Sequence, residues 1–118
     1  ATGINAQGVA SEFLEHANQE REHADQLAER IVQLGGEPDM APGSLERRSH
    51  SEYIEGDSLR DMIRENLVAE RIAIDSYREV IQFLGDSDPT TRRMLEDILA
   101  VEEEHADDLV GLMGDFGK

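Results

Sequence analysis

Apolar residues recur every three or four positions along three long stretches of the chain, and polar residues fill the positions between them. This spacing places the apolar side chains on one face of a helix, as Val9, Phe13 and Ala17 illustrate in the first stretch. The pattern therefore predicts three amphipathic helices, over residues 5–34, 58–84 and 88–113.

The residues at the ends of these stretches support the assignment. Gly35 and Gly36 follow the first stretch, and a glycine there is typical of a helix C terminus. Asp88 followed by Pro89 is typical of an N-terminal cap and first helical residue. The connection over residues 85–88 is short, so we expect the second and third helices to be antiparallel neighbours.

The connection over residues 35–57 is long and polar, and it contains Pro38, Pro42 and Gly43. At about 3.3 Å per extended residue, it can cross the roughly 40 Å length of a helix. Such a crossover permits the first and second helices to run parallel. We therefore predict one all-α domain, residues 1–118, that forms an antiparallel helix bundle with a long crossover.

Composition narrows the possible chemistry. The absence of cysteine excludes disulfides, thiolate metal sites and a cysteine nucleophile. We find neither a transmembrane stretch nor a signal peptide, which favours a cytoplasmic protein with no membrane partner. The net charge of −16, from 27 acidic residues against 11 basic ones, repels nucleic acid and attracts cations, although solubility alone would also explain it.

Charged residues interrupt each apolar stripe near the middle of its helix, where leucine or alanine would be expected. A buried carboxylate without a partner is costly, and a bound cation is a usual compensation. A Glu and a His three residues apart on a helix face the same point, and such oxygen and nitrogen ligands suit iron. The predicted metal ligands and catalytic residues are Glu20, His23, Glu70, Glu102 and His105.

A metal-free interpretation stays open for either motif alone, since a buried histidine is often paired with a nearby glutamate. Two such motifs, with a third glutamate at the matching level, favour a metal site. The other polar candidates are assigned simpler roles. We expect His16 to be a surface residue, with a secondary iron contact as the alternative, and His50 to be exposed as well. Tyr77 is expected to belong to the core, and a solvated acidic face to comprise Glu103, Glu104, Asp107 and Asp108.

Three segments that contain these motifs resemble the last three helices of the bacterioferritin subunit and of its ferritin-like relatives. They are residues 20–36, 66–75 and 102–105. The resemblance extends over nearly the whole chain except the crossover. It implies a ferritin-like four-helix bundle with three of its four helices in this chain.

The same resemblance implies a role for each ligand. Glu20 and Glu102 would bridge two iron ions, and His23, Glu70 and His105 would each be a terminal ligand. It further implies ferroxidase activity, with oxygen or peroxide as the oxidant of Fe(II), and a homo-oligomeric cage of 12 or 24 subunits.

The sequence departs from the bacterioferritin pattern in two places. In the bacterioferritin pattern a further helix comes first and normally supplies one more glutamate. Too few residues precede Asn5 to form that helix, so we expect an N-terminally truncated chain. Arg21 occupies the position where bacterioferritins typically have the haem-ligating methionine, so haem is not supported there. Met40 and Met62 leave haem possible in another form.

Iron storage and detoxification is the function that this resemblance favours. A di-iron or di-manganese enzyme that consumes peroxide, without storage, would use the same ligands. A starvation-protection miniferritin is a further alternative, although the negative charge disfavours contact with DNA. A metal-free helical interaction module is the last alternative, and such a protein would contain no metal after purification.

Overall fold

The computed structural model describes residues 6–39 and 59–116, with side chains for residues 8–39 and 59–114. Over these ranges the chain forms three helices. They are α1 (Ala6–Gln33), α2 (Leu59–Leu84) and α3 (Pro89–Phe116).

The end of α3 is the largest departure from the predicted bounds, because the helix passes Gly114 and ends at Phe116 rather than at residue 113. A glycine inside a helix costs about 1 kcal/mol relative to alanine, which is too little to stop a helix by itself. The predicted cap residue Ser58 and most of the crossover lie outside the described residues.

Glycine ends α1 in the expected way. Gly35 adopts a φ of 89°, which is unfavourable for residues with a Cβ atom. Its N–H donates to the carbonyl of Val32 at 2.9 Å, and the N–H of Gly36 donates to the carbonyl of Ile31 at 2.8 Å. These two bonds form a Schellman motif, which satisfies carbonyls that the helix leaves unpaired.

Asp88 caps α3 and also connects α3 to α1. The Thr91 N–H donates to Oδ1 of Asp88 at 3.1 Å, and hydrogen bonds from Thr91 hold the pKa of Asp88 below its usual range. Arg30, in the last turn of α1, lies 3.2 Å from the same oxygen and donates to the Thr91 hydroxyl at 2.8 Å. The C-terminal end of α1 therefore lies against the N-terminal end of α3.

The opposite ends of these helices meet in the apolar core, where Val9 of α1 packs in one cluster with Ile63 of α2 and Leu109 of α3. Val9 and Ile63 lie near the starts of their helices, whereas Leu109 lies near the end of α3. Hence α3 is antiparallel to both α1 and α2, and α1 runs parallel to α2. This is the arrangement that a long crossover permits.

Buried apolar residues flank the middle of the bundle on both sides. Along α2, Leu67 precedes Glu70 and Ile74 follows it. Along α3, Ile98 precedes Glu102 and Leu109 follows His105. The packing of these aliphatic side chains fixes the backbone on either side of the charged level.

Candidate metal centre

Four of the five predicted ligands meet at one point inside the bundle. They come from all three helices: Glu20 from α1, Glu70 from α2, and Glu102 and His105 from α3. Each offers one ligand atom, and these four atoms lie within 4.8 Å of one another. We call this set the four-residue group.

The four-residue group is buried on one side and accessible on the other. Glu102 and His105 are 1% and 2% exposed, whereas the side chain of Glu20 is 46% exposed. The apolar stripe predicted Glu20 to point inward, and the structure places it at the edge where solvent reaches the group. Small ions therefore have access from the Glu20 side.

Three buried atoms of the four-residue group have no hydrogen-bond partner among residues 6–39 and 59–116. They are Oε2 of Glu70, Oε2 of Glu102 and Nδ1 of His105. A buried polar atom that lacks a partner costs about 1–3 kcal/mol, so such atoms are rare in native proteins. A cation bound among these atoms would satisfy all three, and the donor set therefore fits a metal ion such as iron.

The carboxylates of the group have opposite pKa shifts. Burial raises the pKa of Glu102 to about 11, and the adjacent carboxylates of Glu70 and Glu20 add to this rise. Burial also acts to raise the pKa of Glu20, but the neighbouring side chains of His105 and Glu102 outweigh it and lower that pKa to about 2. Without metal, Glu102 therefore holds a proton at neutral pH while Glu20 is ionised.

The two histidines of the motifs also differ. Burial acts to lower the pKa of His105, but its contacts with Glu20 and Glu70 dominate and raise the pKa to about 9. Nδ1 of His105 lies 3.5 Å from Glu20 and 3.9 Å from Glu70. For His23, burial lowers the pKa, so this imidazole favours its neutral form.

His23 lies at the edge of the four-residue group rather than among its closest atoms. Its Nδ1 is hydrogen-bonded to Oε1 of Glu102 at 2.9 Å and lies 3.9 Å from Oε1 of Glu20. A neutral imidazole is the form that binds metal. The role of His23 as a terminal ligand stays a prediction.

Gln19 is a residue of the site that the sequence analysis missed. Its Oε1 accepts a hydrogen bond from Nε2 of His105, on the ring edge opposite Nδ1. Such a partner fixes the ring orientation and leaves Nδ1 facing the group. Its position four residues before His23, on the same helix face, was a signal that would have identified Gln19.

His16 is buried, so its assignment to the surface was wrong. It is 8% exposed, and its ring stacks on that of His105 with the centroids 3.9 Å apart and the planes 21° apart. The stacking against α3 buries one ring face, which the sequence pattern of α1 alone does not reveal.

The remaining candidates lie away from the four-residue group. Arg21 is exposed, and so are Glu103, Glu104 and Asp107, as expected for a solvated face. Tyr77 is half-buried. Residues 40–58, which include His50 and Met40, lie outside the part of the chain that the structure describes.

Comparison with known proteins supports the helical fold. The ferritin-like domain family matches residues 1–117. Over 109 residues the chain is 30% identical to a relative from Pyrococcus furiosus named DNA protection during starvation protein. The alignment covers 89% of this chain and 58% of that relative, so the chain spans little more than half of the relative's length.

The described helices also lack any segment that is both long enough and apolar enough to cross a membrane. The all-α bundle, the carboxylate and histidine group at its middle, and the match to nearly every residue lead to the same conclusion. This chain belongs to the ferritin-like family.

Proposed function

We propose that this protein binds Fe(II) as a substrate at the four-residue group and promotes its oxidation to Fe(III). The observation that carries the proposal is the convergence of Glu20, Glu70, Glu102 and His105 within 4.8 Å, with three of their buried atoms unpaired among the described residues. Iron bound there would supply the one-electron redox chemistry. Carboxylate and imidazole ligands stabilise Fe(III) while they still bind Fe(II).

The side chains prepare the site by holding protons in place of a cation. Glu102 and His105 both keep a proton at neutral pH, because their pKa values are about 11 and about 9. A divalent cation displaces these protons, since metal ligands must be deprotonated. Glu20 is already ionised and accessible, so it is suited to make the first contact with an arriving Fe(II) ion.

Peroxide and oxygen are both chemically competent oxidants. In the peroxide reaction, two Fe(II) ions give one electron each to one hydrogen peroxide, which takes up two protons and leaves as two water molecules. Buried apolar residues flank the group along the helices, among them Leu67 and Ile98, so oxidant and Fe(II) would arrive from the exposed Glu20 side. We propose two iron ions per site, with His23, Glu70 and His105 as terminal ligands and Glu20 and Glu102 as the ligands that the two ions would share.

Storage requires an assembly that encloses the oxidised iron. The outer face of α2 carries large exposed apolar side chains, with Phe83 88% exposed and Ile72 62% exposed. Exposed apolar patches often mark surfaces that bind another subunit. We therefore propose a homo-oligomeric cage of 12 or 24 subunits in which Fe(III) is deposited.

Protection during starvation is a second candidate function, and the name of the Pyrococcus furiosus relative favours it. The net charge of −16 opposes contact between this chain and DNA. Protection would then consist of removing Fe(II) and peroxide together, so that the two cannot react near DNA. The same site would serve iron storage and protection, and a preference for peroxide over oxygen as the oxidant would distinguish protection from storage.

An Fe(II) titration of the purified protein tests the proposal, first with oxygen and then with hydrogen peroxide under anaerobic conditions. We expect oxidation faster than in protein-free buffer, and far more than about two iron atoms kept soluble per chain. A strong preference for peroxide would favour protection. Saturation near two irons per chain would favour a peroxide-consuming enzyme, and a rate equal to that of protein-free buffer would refute oxidation at this site.

A further inference from the structure

A second set of metal-type ligands lies beside the four-residue group. Glu12 and His16 of α1 and Asp108 of α3 each offer one ligand atom, and these atoms also lie within 4.8 Å of one another. Nε2 of His16 is 3.3 Å from Oε1 of Glu12 and 3.5 Å from Oδ2 of Asp108. We call this set the outer triad.

The buried imidazole is the observation that points to a ligand. His16 is 8% exposed, and its Nε2 has no hydrogen-bond partner of acceptable geometry within the described ranges 6–39 and 59–116. This nitrogen faces the two carboxylates of the outer triad. An imidazole nitrogen and two carboxylate oxygens from adjacent helices are the donors that divalent transition metals prefer.

The carboxylates of the outer triad repel each other in the absence of a cation. Oxygen atoms of both carboxylates lie within 3.5 Å of the same nitrogen, Nε2 of His16, and like charges held this close together repel each other. Their side chains are 32% and 50% exposed, so an ion can arrive from solvent and keep water molecules as additional ligands. A divalent cation between them would relieve this repulsion.

We propose that Glu12, His16 and Asp108 form a second divalent-cation site at the accessible edge of the bundle. The ring of His16 stacks on the ring of His105, so a ligand of the outer triad touches a ligand of the four-residue group. The site is thus adjacent to the four-residue group but is built from different residues. It does not rest on the proposed iron oxidation, because it requires only cation binding.

Calorimetric titration with Co(II) under anaerobic conditions tests this site. Asp108→Asn and Glu12→Gln each remove the charge of one ligand with little change of shape. Asp107→Asn and Glu15→Gln are matched controls, since these acids are exposed neighbours of the ligands. We expect the wild type and both controls to show a binding event of one Co(II) per chain at the outer triad. In the two ligand variants the affinity of this event should be at least about tenfold lower.

The proposal predicts a common effect of ligand variants on α1 and α3. Ligand variants on two different helices should lose the same binding event, and circular dichroism checks that each variant keeps its helices. The Glu102→Gln variant should still bind the Co(II) ion whose binding Asp108→Asn weakens. The rate of Fe(II) oxidation by Glu102→Gln is measured in a separate experiment. Equal Co(II) stoichiometry and affinity in the ligand variants and their controls would overturn the second site, whatever the outcome for iron oxidation.

Discussion

Nδ1 of His23 lies 2.9 Å from Oε1 of Glu102, across the interface between α1 and α3. The two residues are 79 positions apart in the sequence and belong to two different Glu-x-x-His motifs. Their hydrogen bond aligns the two motifs at the same level of the bundle. It also places a neutral imidazole beside a carboxyl group that holds a proton, and a metal ion could replace that proton.

Replacement of Glu102 by glutamine should lower the initial rate of Fe(II) oxidation by at least about tenfold. The amide keeps the shape of the side chain but cannot supply the negative charge that a metal ligand needs. Stopped-flow absorbance of Fe(III) would measure the rate. Glu104→Gln is the matched control, because Glu104 is exposed on the same helix, and it should react like the wild type.

The same Glu102→Gln change should make the metal-free protein less sensitive to alkaline pH. The pKa of Glu102 is raised from 4.5 to about 11, and that of His105 from 6.5 to about 9. A group whose pKa is raised by folding stabilises the folded state, and this stabilisation is complete at pH values below the unfolded-state pKa. The stabilisation is lost as the pH rises towards the folded-state pKa. Between pH 7 and 9 the Tm of the wild type should therefore fall.

The variant should show a smaller fall in Tm over the same pH window, because glutamine does not ionise. Thermal denaturation followed by circular dichroism in the presence of a chelator would measure both proteins. The lowered pKa values of Glu20 and His23 affect stability only below about pH 6.5, outside this window. Parallel Tm curves for the variant and the wild type would contradict the assignment of a proton to Glu102.

The affinity of the four-residue group for divalent cations should rise steeply with pH. Glu102 and His105 both hold protons at pH 7, and a cation must displace them. Displacement of one or two protons raises the affinity by about ten- to a hundredfold per pH unit. Titration with Mn(II) between pH 6.5 and 8, followed by electron paramagnetic resonance, would measure the slope, and a flat profile would exclude proton displacement.

Gln19 should act as a positioning residue for His105. Its Oε1 accepts a hydrogen bond from Nε2 of His105, and the loss of such an outer partner typically weakens metal binding by about 10- to 100-fold. Gln19→Ala should therefore reduce Mn(II) affinity and shift the titration of His105 in an NMR pH series. Asn18→Ala removes an exposed neighbouring amide and should change neither measurement.

Leu109→Ala should lower the free energy of unfolding by about 2–5 kcal/mol. Leu109 is buried in the core cluster with Val9, Ile63 and Leu67, so its truncation leaves a cavity where three helices meet. Urea denaturation would measure the change. Val110→Ala is the control, since Val110 is 46% exposed, and a loss as large as that of Leu109→Ala would contradict this description of the core.

The sequence by itself determined the three helices and most of the candidate metal ligands. Apolar residues repeat with the period of a helix, and glycine or a capping aspartate marks an end, so these features are local. Glu102 and His105 lie three positions apart, and any helix brings them to one face. The membership in the ferritin-like family then agreed with the resemblance that those motifs carried.

Only the tertiary structure decided how residues on different helices align. The burial of His16 against His105, the hydrogen bond to Gln19 and the proximity of Asp108 to Glu12 all depend on the register between α1 and α3. That register is set by the packing of the apolar core, which joins residues about a hundred positions apart in the chain. The same register makes the pKa of His105 rise and that of His23 fall, although both histidines occupy the same sequence motif.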